Sequence, residues 1–91
     1  MRWKLFADLA DVAGDREVEV EVDGDATVGD ALEALLDSRP GLRDRVFDEG
    51  GGLYDHLTVL RNGSDVENGE GLDTGVEPGD ELALFPPVSG G

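Results

Sequence analysis

Leu82-Ala83-Leu84-Phe85-Pro86-Pro87-Val88-Ser89-Gly90-Gly91 joins a short apolar segment to two prolines and a double glycine. Bulky residues bounded by turn residues and prolines predict a strand that ends with Phe85, and its alternation predicts that Leu82 and Leu84 face inward and Phe85 outward. Proline has no N–H group to donate to a sheet, so the strand must stop at Pro86. Two consecutive prolines favour the extended polyproline II conformation. We therefore predict that the folded body ends here and that residues 86–91 form a flexible tail.

The composition limits the class of protein. The chain has 91 residues, which fits a single domain over residues 1–91. It contains no cysteine, which excludes disulfides, zinc–thiolate sites and cysteine nucleophiles. No apolar run reaches the length of a membrane span and no signal peptide is visible. We predict a soluble cytoplasmic protein that has no membrane partner.

The charge balance is strongly acidic. There are 22 acidic and 7 basic residues, which give a net charge of −15, and Lys4 is the only lysine. Nucleic acids and anionic membranes bind basic surfaces, so we predict neither as a partner. In molar salt the Debye length falls to about 3 Å, and neighbouring carboxylates then hardly repel one another. The acidity is therefore typical of a protein from a halophile, and we predict no metal site from it.

Hydrophobic periodicity predicts the elements. Residues 1–6 alternate as a strand, with Lys4 and Phe6 on its outer side, and residues 16–22 alternate as a second strand. A short helix is predicted over residues 7–13, and Asn62-Gly63 predicts a hairpin between strands at 57–61 and 64–66. The main helix follows the N-cap residue Thr27, with Asp30 favouring its first turn electrostatically. Its apolar stripe is Val28, Ala31, Leu32, Leu35 and Leu36.

These elements predict an α+β protein in which one helix packs on one face of a mixed sheet. The first and last strands are expected to be neighbours in the middle of that sheet. Residues 47–55 are predicted to be a loop, and residues 68–79 a surface excursion. His56 is the only histidine, and no cysteine, second histidine or strand-turn-serine elbow accompanies it, so we interpret it as a surface or strand-edge residue. The sequence therefore predicts no catalytic residue.

The chain resembles the β-grasp, ubiquitin-like sulfur carriers over its whole length. These include the small subunit of molybdopterin synthase (MoaD) and the small archaeal modifier proteins. The resemblance lies in Leu5-Phe6-Ala7, the helix capped by Thr27, Gly79-Asp80-Glu81, and the ending Phe-Pro-Pro-Val-Ser-Gly-Gly over residues 85–91. It implies a ubiquitin-like β-grasp fold: a mixed sheet of four to five strands on one main helix, with short extra helices.

The resemblance also implies a function. A partner adenylyltransferase of the ubiquitin-activating type would use ATP to adenylylate Gly91. The activated carboxyl group would become a thiocarboxylate, which donates sulfur to molybdopterin or tRNA, or an isopeptide bond to a target lysine. The protein would be a carrier and not an enzyme, without a cofactor of its own. It is a candidate for the non-catalytic small subunit of molybdopterin synthase, with the large subunit as its partner.

The resemblance assigns the site to the end of the chain. Gly90 and Gly91 would serve activation and conjugation, and partner binding would use Phe85, Pro86, Pro87, Val88 and Ser89. Lys4 is either an acceptor of a second carrier or an ordinary solvated strand residue, and the sequence leaves both interpretations open. An alternative function is also open, namely a β-grasp binding module whose tail is never activated.

Overall fold

The structure is a computed structural model that describes residues 1–47, 50 and 57–86. The described residues form a five-stranded sheet covered on one face by helices. Most of the predicted loop at 47–55 lies outside the described residues, as does His56. Residues 87–91, which hold most of the predicted tail, also lie outside them.

The five strands form one mixed sheet. They are β1 (Arg2–Leu5), β2 (Glu17–Glu19), β3 (Thr58–Arg61), β4 (Ser64–Asp65) and β5 (Glu81–Phe85). Their order across the sheet is β2-β1-β5-β3-β4. The central strand, β5, runs parallel to β1 and antiparallel to β3. The predicted pairing of the first and last strands in the middle of the sheet is thereby confirmed.

In the described part of the chain three α-helices lie between the strands: α1 (Asp8–Ala13), α2 (Val28–Ser38) and α3 (Arg43–Val46). The main helix, α2, begins at the predicted place. The backbone N–H of Asp30 donates to the Thr27 hydroxyl over 3.2 Å, and the Thr27 N–H donates to the Asp30 carboxylate over 3.0 Å. Asp30 thus completes a capping box, which satisfies two backbone donors, besides its favourable charge.

The core lies between α2 and the inner face of the sheet. The complete predicted stripe of α2 is buried, and Leu82 and Leu84 of β5 are fully buried beneath it. Trp3 of β1 is also fully buried, and its indole Nε1–H donates to the carbonyl oxygen of Ala31 in α2 over 3.0 Å. This bond joins the central sheet to the main helix. The predicted α+β class, with one main helix on a mixed sheet, is confirmed.

Two parts of the sequence interpretation need correction. The strand predicted over residues 16–22 is regular only over Glu17–Glu19. Its hydrogen bonds to the first segment end with the Val20 N–H, which donates to the carbonyl oxygen of Met1, the first residue, over 2.9 Å. The segment 68–79 is not simply a surface excursion. Val76 in this segment is buried, and its N–H donates to the carbonyl oxygen of Ala26 over 3.0 Å. Leu72 in the same segment also packs against the core, and the acidic and glycine-rich neighbours of both residues made these contacts hard to predict from the sequence.

Asp80, which precedes β5, is hydrogen-bonded to the hairpin of β3 and β4. It is the one buried charged residue among those the structure describes, with 8% of its surface exposed. Its carboxylate accepts hydrogen bonds from Arg61 Nε at 2.7 Å, from Asn62 Nδ2 at 3.0 Å and from the Glu77 N–H at 2.8 Å. Burial alone would raise the pKa of Asp80, but these three bonds and the Arg61 charge together lower it.

This arrangement makes part of the folding stability depend on pH. The pKa of Asp80 is lower in the folded chain than the unfolded value of about 3.9. The folded state therefore binds its proton less well, and the stabilisation is complete above the unfolded pKa and lost as pH falls through the folded pKa. We expect Asp80→Asn to cost about 2–3 kcal/mol at neutral pH, as hydrogen bonds to a buried charge are weakened.

Urea unfolding of both proteins in molar KCl, from pH 7 down to about pH 3, tests this expectation. The stability difference between parent and Asp80→Asn should shrink below about pH 4. Asp65→Asn is the control, because Asp65 is only partly buried and caps a single local turn. A difference that stays constant with pH would contradict the assigned role of the Asp80 carboxylate.

The surface charge predicts a dependence on salt. Within the described part of the chain six of the seven basic side chains form ion pairs, and over the whole sequence 22 acidic residues outnumber the basic ones about threefold. Self-repulsion should destabilise the small domain when screening is weak. We expect the thermal midpoint to rise clearly between low salt and molar KCl. A midpoint that is unchanged across this range would contradict the halophilic interpretation of the acidity.

Candidate functional site

The outer face of the sheet carries an uncharged patch next to the start of the tail. The alternation of β5 directs Leu82 and Leu84 inward and leaves Ala83 and Phe85 on the opposite face. Leu60 of β3 lies directly opposite Ala83, and Phe6 follows β1 on the same side. Together these residues line an open groove of about 470 Å³. We call Phe6, Leu60, Ala83 and Phe85 the outer-face patch.

Two aromatic rings form the part of the patch nearest the tail. Phe6 and Phe85 are stacked, with ring centroids 4.2 Å apart and an angle of 9° between the ring planes. Phe6 has 38% of its surface exposed and is the one large hydrophobic side chain that is exposed among the described residues. The predicted outward position of Phe85 is confirmed, but the ring is only half-exposed because Phe6 covers one side of it.

The backbone after β1 fixes the position of Phe6. Ala7 has φ 53° and ψ −134°, and this left-handed region is unusual for a residue with a Cβ. The turn at Ala7 leads the chain from the sheet directly into α1. Phe6 is therefore held between the end of a central strand and a tight turn, where its ring can support that of Phe85.

Lys4 lies beside the patch and forms an ion pair across the two central strands. Its Nζ is 2.7 Å from Glu81 Oε1, and 40% of the lysine side chain is exposed. The hydrogen bond and the negative charge of Glu81 raise the pKa of Lys4 above its usual value. Lys4 also lines the same groove as Phe6 and Phe85. It is thus a partnered residue and not a freely solvated one.

Pro86 is the last described residue, and it is half-buried at the end of β5. The predicted tail therefore begins at the edge of the outer-face patch, next to Phe85. The partner-binding roles of Pro87, Val88 and Ser89 and the activation of Gly90 and Gly91 stay predictions, because residues 87–91 lie outside the described part of the chain. The structure thus brings together Phe85, Pro86 and Lys4 of the predicted site residues.

The described residues show no grouping of three or more histidine, cysteine, aspartate or glutamate side chains that could hold a metal ion. Within the same residues, none of the helices has the length and apolar character needed to cross a membrane. Among the described residues that line the groove beside the patch, the charged ones are Lys4 and Glu81, which form an ion pair.

Sequence reasoning identified Phe6 and Phe85 as outward-facing but missed their contact. The signal was available in the predicted pairing of the first and last strands. In the parallel register Leu5 lies opposite Leu84, so the residues that follow them, Phe6 and Phe85, are also neighbours. The ion pair of Lys4 with Glu81 depends on the same pairing. A register assigned to these two strands would have revealed both contacts.

Comparison with known proteins agrees with this arrangement. The model of the ThiS family matches residues 3–91. Small archaeal modifier protein 1 of Haloferax volcanii is 64% identical over 91 residues, which cover all of both chains. Its crystal structure superposes with a TM-score of 0.91, at 63% identity, and covers 100% of this chain and 98% of that one.

Two further relatives extend the comparison. Small archaeal modifier protein 3 of the same organism is 39% identical over 91 residues, covering 100% of this chain and 98% of its own. A putative molybdopterin converting factor, subunit 1, from Pyrococcus furiosus has a TM-score of 0.75 at 28% identity, covering 96% and 95% of the two chains. The chain therefore belongs to the ThiS family of ubiquitin-like β-grasp proteins, and within it to the haloarchaeal small archaeal modifier proteins.

Proposed function

We propose that the protein is a ubiquitin-like modifier and sulfur carrier that acts through the carboxyl group of Gly91. A partner adenylyltransferase of the ubiquitin-activating type uses ATP to form the Gly91 acyl-adenylate. Attack by a sulfur donor gives a thiocarboxylate, and attack by a lysine amine gives an isopeptide bond. Membership of the ThiS family and 64% identity to a small archaeal modifier protein support this proposal.

The observation that carries the proposal is the stacked pair of Phe6 and Phe85 at the point where the tail begins. In a chain with a net charge of −15, the four residues of the outer-face patch offer a partner an apolar contact, and the carboxylate that borders their groove, Glu81, is paired with Lys4. Aromatic side chains commonly provide the main binding energy of protein interfaces. A partner that docks on this patch would have Pro86 at its surface and the tail directed into its active site.

The chain itself supplies binding and reach rather than catalysis. The glycines of the tail lack a Cβ atom, so they can enter a narrow active site and adopt backbone angles closed to other residues. The adenylyltransferase supplies the ATP site. The molybdopterin synthase large subunit and lysine-bearing target proteins are the proposed later partners. The protein is therefore proposed to be a carrier and substrate and not an enzyme, located in the cytoplasm.

Phe85→Ala tests the docking role of the patch. Loss of the stacked pair should cost only about 1–1.5 kcal/mol of folding stability, because Phe85 is half-exposed. We expect kcat/KM for ATP-dependent activation by the adenylyltransferase from the same cells to fall by about tenfold or more, as expected for an interface aromatic residue. Phe6→Ala should have an effect of similar size.

Leu72→Ala is the matched control for this experiment. Leu72 is also a partly buried apolar residue, but it lies in the short helical turn Gly71–Asp73, which packs against α2 and not on the outer face of the sheet. It should lose stability without losing activation. A Phe85→Ala protein that loses thermal stability but is activated at the parent rate would show that Phe85 belongs to the core.

The alternative function, a β-grasp binding module whose tail is never activated, is distinguished by intact mass spectrometry. Protein isolated from its own cells should contain a fraction in which one oxygen at the C-terminus is replaced by sulfur, or should be joined to lysines of other proteins. Protein that carries neither modification, and that no adenylyltransferase of those cells activates, would support the binding-module interpretation.

A further inference from the structure

Lys4 occupies an unusual place for the single lysine of a protein modifier. It lies in β1 opposite Ala83 of β5, which belongs to the outer-face patch. Its nearest neighbours on the same face along β1 are Arg2 and Phe6. The one side-chain amine of the chain is therefore next to the surface through which the proposed function requires docking.

The ion pair fixes where the amine lies. Because Nζ is 2.7 Å from Glu81 Oε1, the lysine side chain crosses from β1 to β5 over the outer face of the sheet. An acyl group attached to Nζ would therefore start beside Ala83, in the groove that Phe6 and Phe85 line. With 40% of the side chain exposed, the amine is nevertheless accessible to a reagent or an enzyme.

We propose that Lys4 is a modification site and that its acylation by the C-terminus of a second carrier closes the outer-face patch to the activating partner. A chain tagged at Lys4 would then be unable to dock and to be activated itself. Tagging and activation would be mutually exclusive states of one molecule. This inference rests on the proposed function and adds a mode of regulation to it.

The reaction is an ordinary acyl transfer. The neutral Lys4 amine attacks the activated C-terminal carbonyl carbon of the second carrier, and a C–N bond forms as the bond to the AMP leaving group breaks. AMP departs with the electron pair, and the nitrogen loses a proton to solvent. The raised pKa of Lys4 keeps the neutral amine scarce, so modification requires Glu81 to move away.

Acylation changes the surface in two ways. The amide is uncharged, so Glu81 loses its cation and presents a carboxylate at the border of the apolar groove. The attached carrier is also a folded body, with principal extents of 37 × 28 × 25 Å, whereas the groove measures only about 470 Å³. A tether that begins at Nζ would therefore keep a bulky domain within about 20 Å of the patch, the length of the extended tail, where it would obstruct a docking partner.

Lysine-directed acylation in vitro tests the proposal, since the chain has one lysine. The parent protein is treated with an N-hydroxysuccinimide ester of either acetate or a long polyethylene glycol acid. ATP-dependent release of pyrophosphate is then measured with the adenylyltransferase of the same cells. We expect the bulky acyl group to lower the activation rate at least tenfold, and the acetyl group to lower it less. Thermal melting identifies any sample that has unfolded.

Two variants control for the site of acylation. Lys4→Arg keeps the positive charge but no lysine, so treatment can modify only its N-terminus, and treated and untreated samples should be activated equally. The double variant Lys4→Arg with Arg43→Lys moves the single lysine to α3, where residue 43 pairs with Glu33 and Asp37 of α2. Bulky acylation there should leave its own activation rate unchanged.

The outcomes separate this inference from the proposed function. Parent protein that carries the bulky group on Lys4 and is activated at the rate of the untreated parent would overturn the inference alone. Equal inhibition of the double variant would also overturn it, because the effect would not depend on the outer face. Untreated parent that is never activated would overturn the proposed function, and the inference with it.

Discussion

Removal of Gly90 and Gly91 is expected to abolish both the thiocarboxylate and the isopeptide conjugates while the thermal midpoint changes by no more than about 1 °C. The last strand that the structure describes, β5, ends at Phe85, and the buried residues of the described core lie between Trp3 and Leu84. We expect the last two glycines to add nothing to this core. Their removal should therefore affect the chemistry of the chain end and not its folding.

We expect this effect because the tail must be long enough to enter the active site of the partner and narrow enough to fit there. Residues 86–91 can span at most about 20 Å when fully extended. Pro86 and Pro87 restrict the base of this arm to extended conformations, which reduces the conformational entropy lost when the arm enters an active site. A shortened arm would leave its carboxyl group outside the site of adenylylation while the outer-face patch still docks.

Activation is measured by pyrophosphate release and by intact mass after incubation with ATP and a sulfur donor. Gly91→Val is the matched control of unchanged length, and it should fold normally but be activated poorly, because a β-branched side chain must enter a site that accommodates glycine. Sulfur transfer or conjugation at the parent level by the doubly truncated protein would contradict the proposed role of the chain end.

Trp3→Ala should destabilise the protein by about 3–5 kcal/mol, the usual cost of removing a large buried aromatic side chain. The indole is completely buried between β1 and α2 and donates to the Ala31 carbonyl. Since domains of this size have a total stability of only about 5–15 kcal/mol, the variant should be close to unfolding at room temperature. Urea titration in molar KCl measures the loss.

Trp3→Phe is the control for this prediction. It retains an aromatic ring but leaves part of the volume empty and removes the indole donor, so we expect a loss of about 1–2 kcal/mol. The two variants should therefore differ clearly in their urea midpoints. If Trp3→Ala were as stable as the parent protein, the link between the central sheet and the main helix would not depend on the indole.

The elements that sequence reasoning predicted well are those with a regular pattern. The apolar stripe of α2 follows the helical period and faces a single core, so its burial could be predicted residue by residue. The alternation of β5 likewise identified Leu84 as inward-facing and Phe85 as outward-facing. The prediction that β1 and β5 are neighbours followed from the order of elements, and the structure shows that the two strands are parallel.

The features that were missed depend on contacts between distant segments. In the sequence Asp80 stands next to Gly79, just before the last strand. Two of the residues that donate hydrogen bonds to its carboxylate, Arg61 and Asn62, belong to the β3–β4 hairpin almost twenty positions earlier. The stack of Phe6 on Phe85 joins opposite ends of the chain. Local periodicity carries no information about such contacts, and only the register of paired strands makes them visible.

The central position of β5 has a consequence for biosynthesis. The ribosome makes this strand after the other four described strands, yet it lies between β1 and β3 and pairs with both. Without it the sheet would be two separate pairs of strands, and isolated strand pairs are marginally stable in water. A nascent chain that stops before Glu81 is therefore not expected to form a stable fold. We therefore expect the chain to fold only after translation has passed β5, the strand that precedes the predicted tail. Incomplete carriers would stay unfolded, and they would be degraded by proteases instead of competing for the partner enzyme.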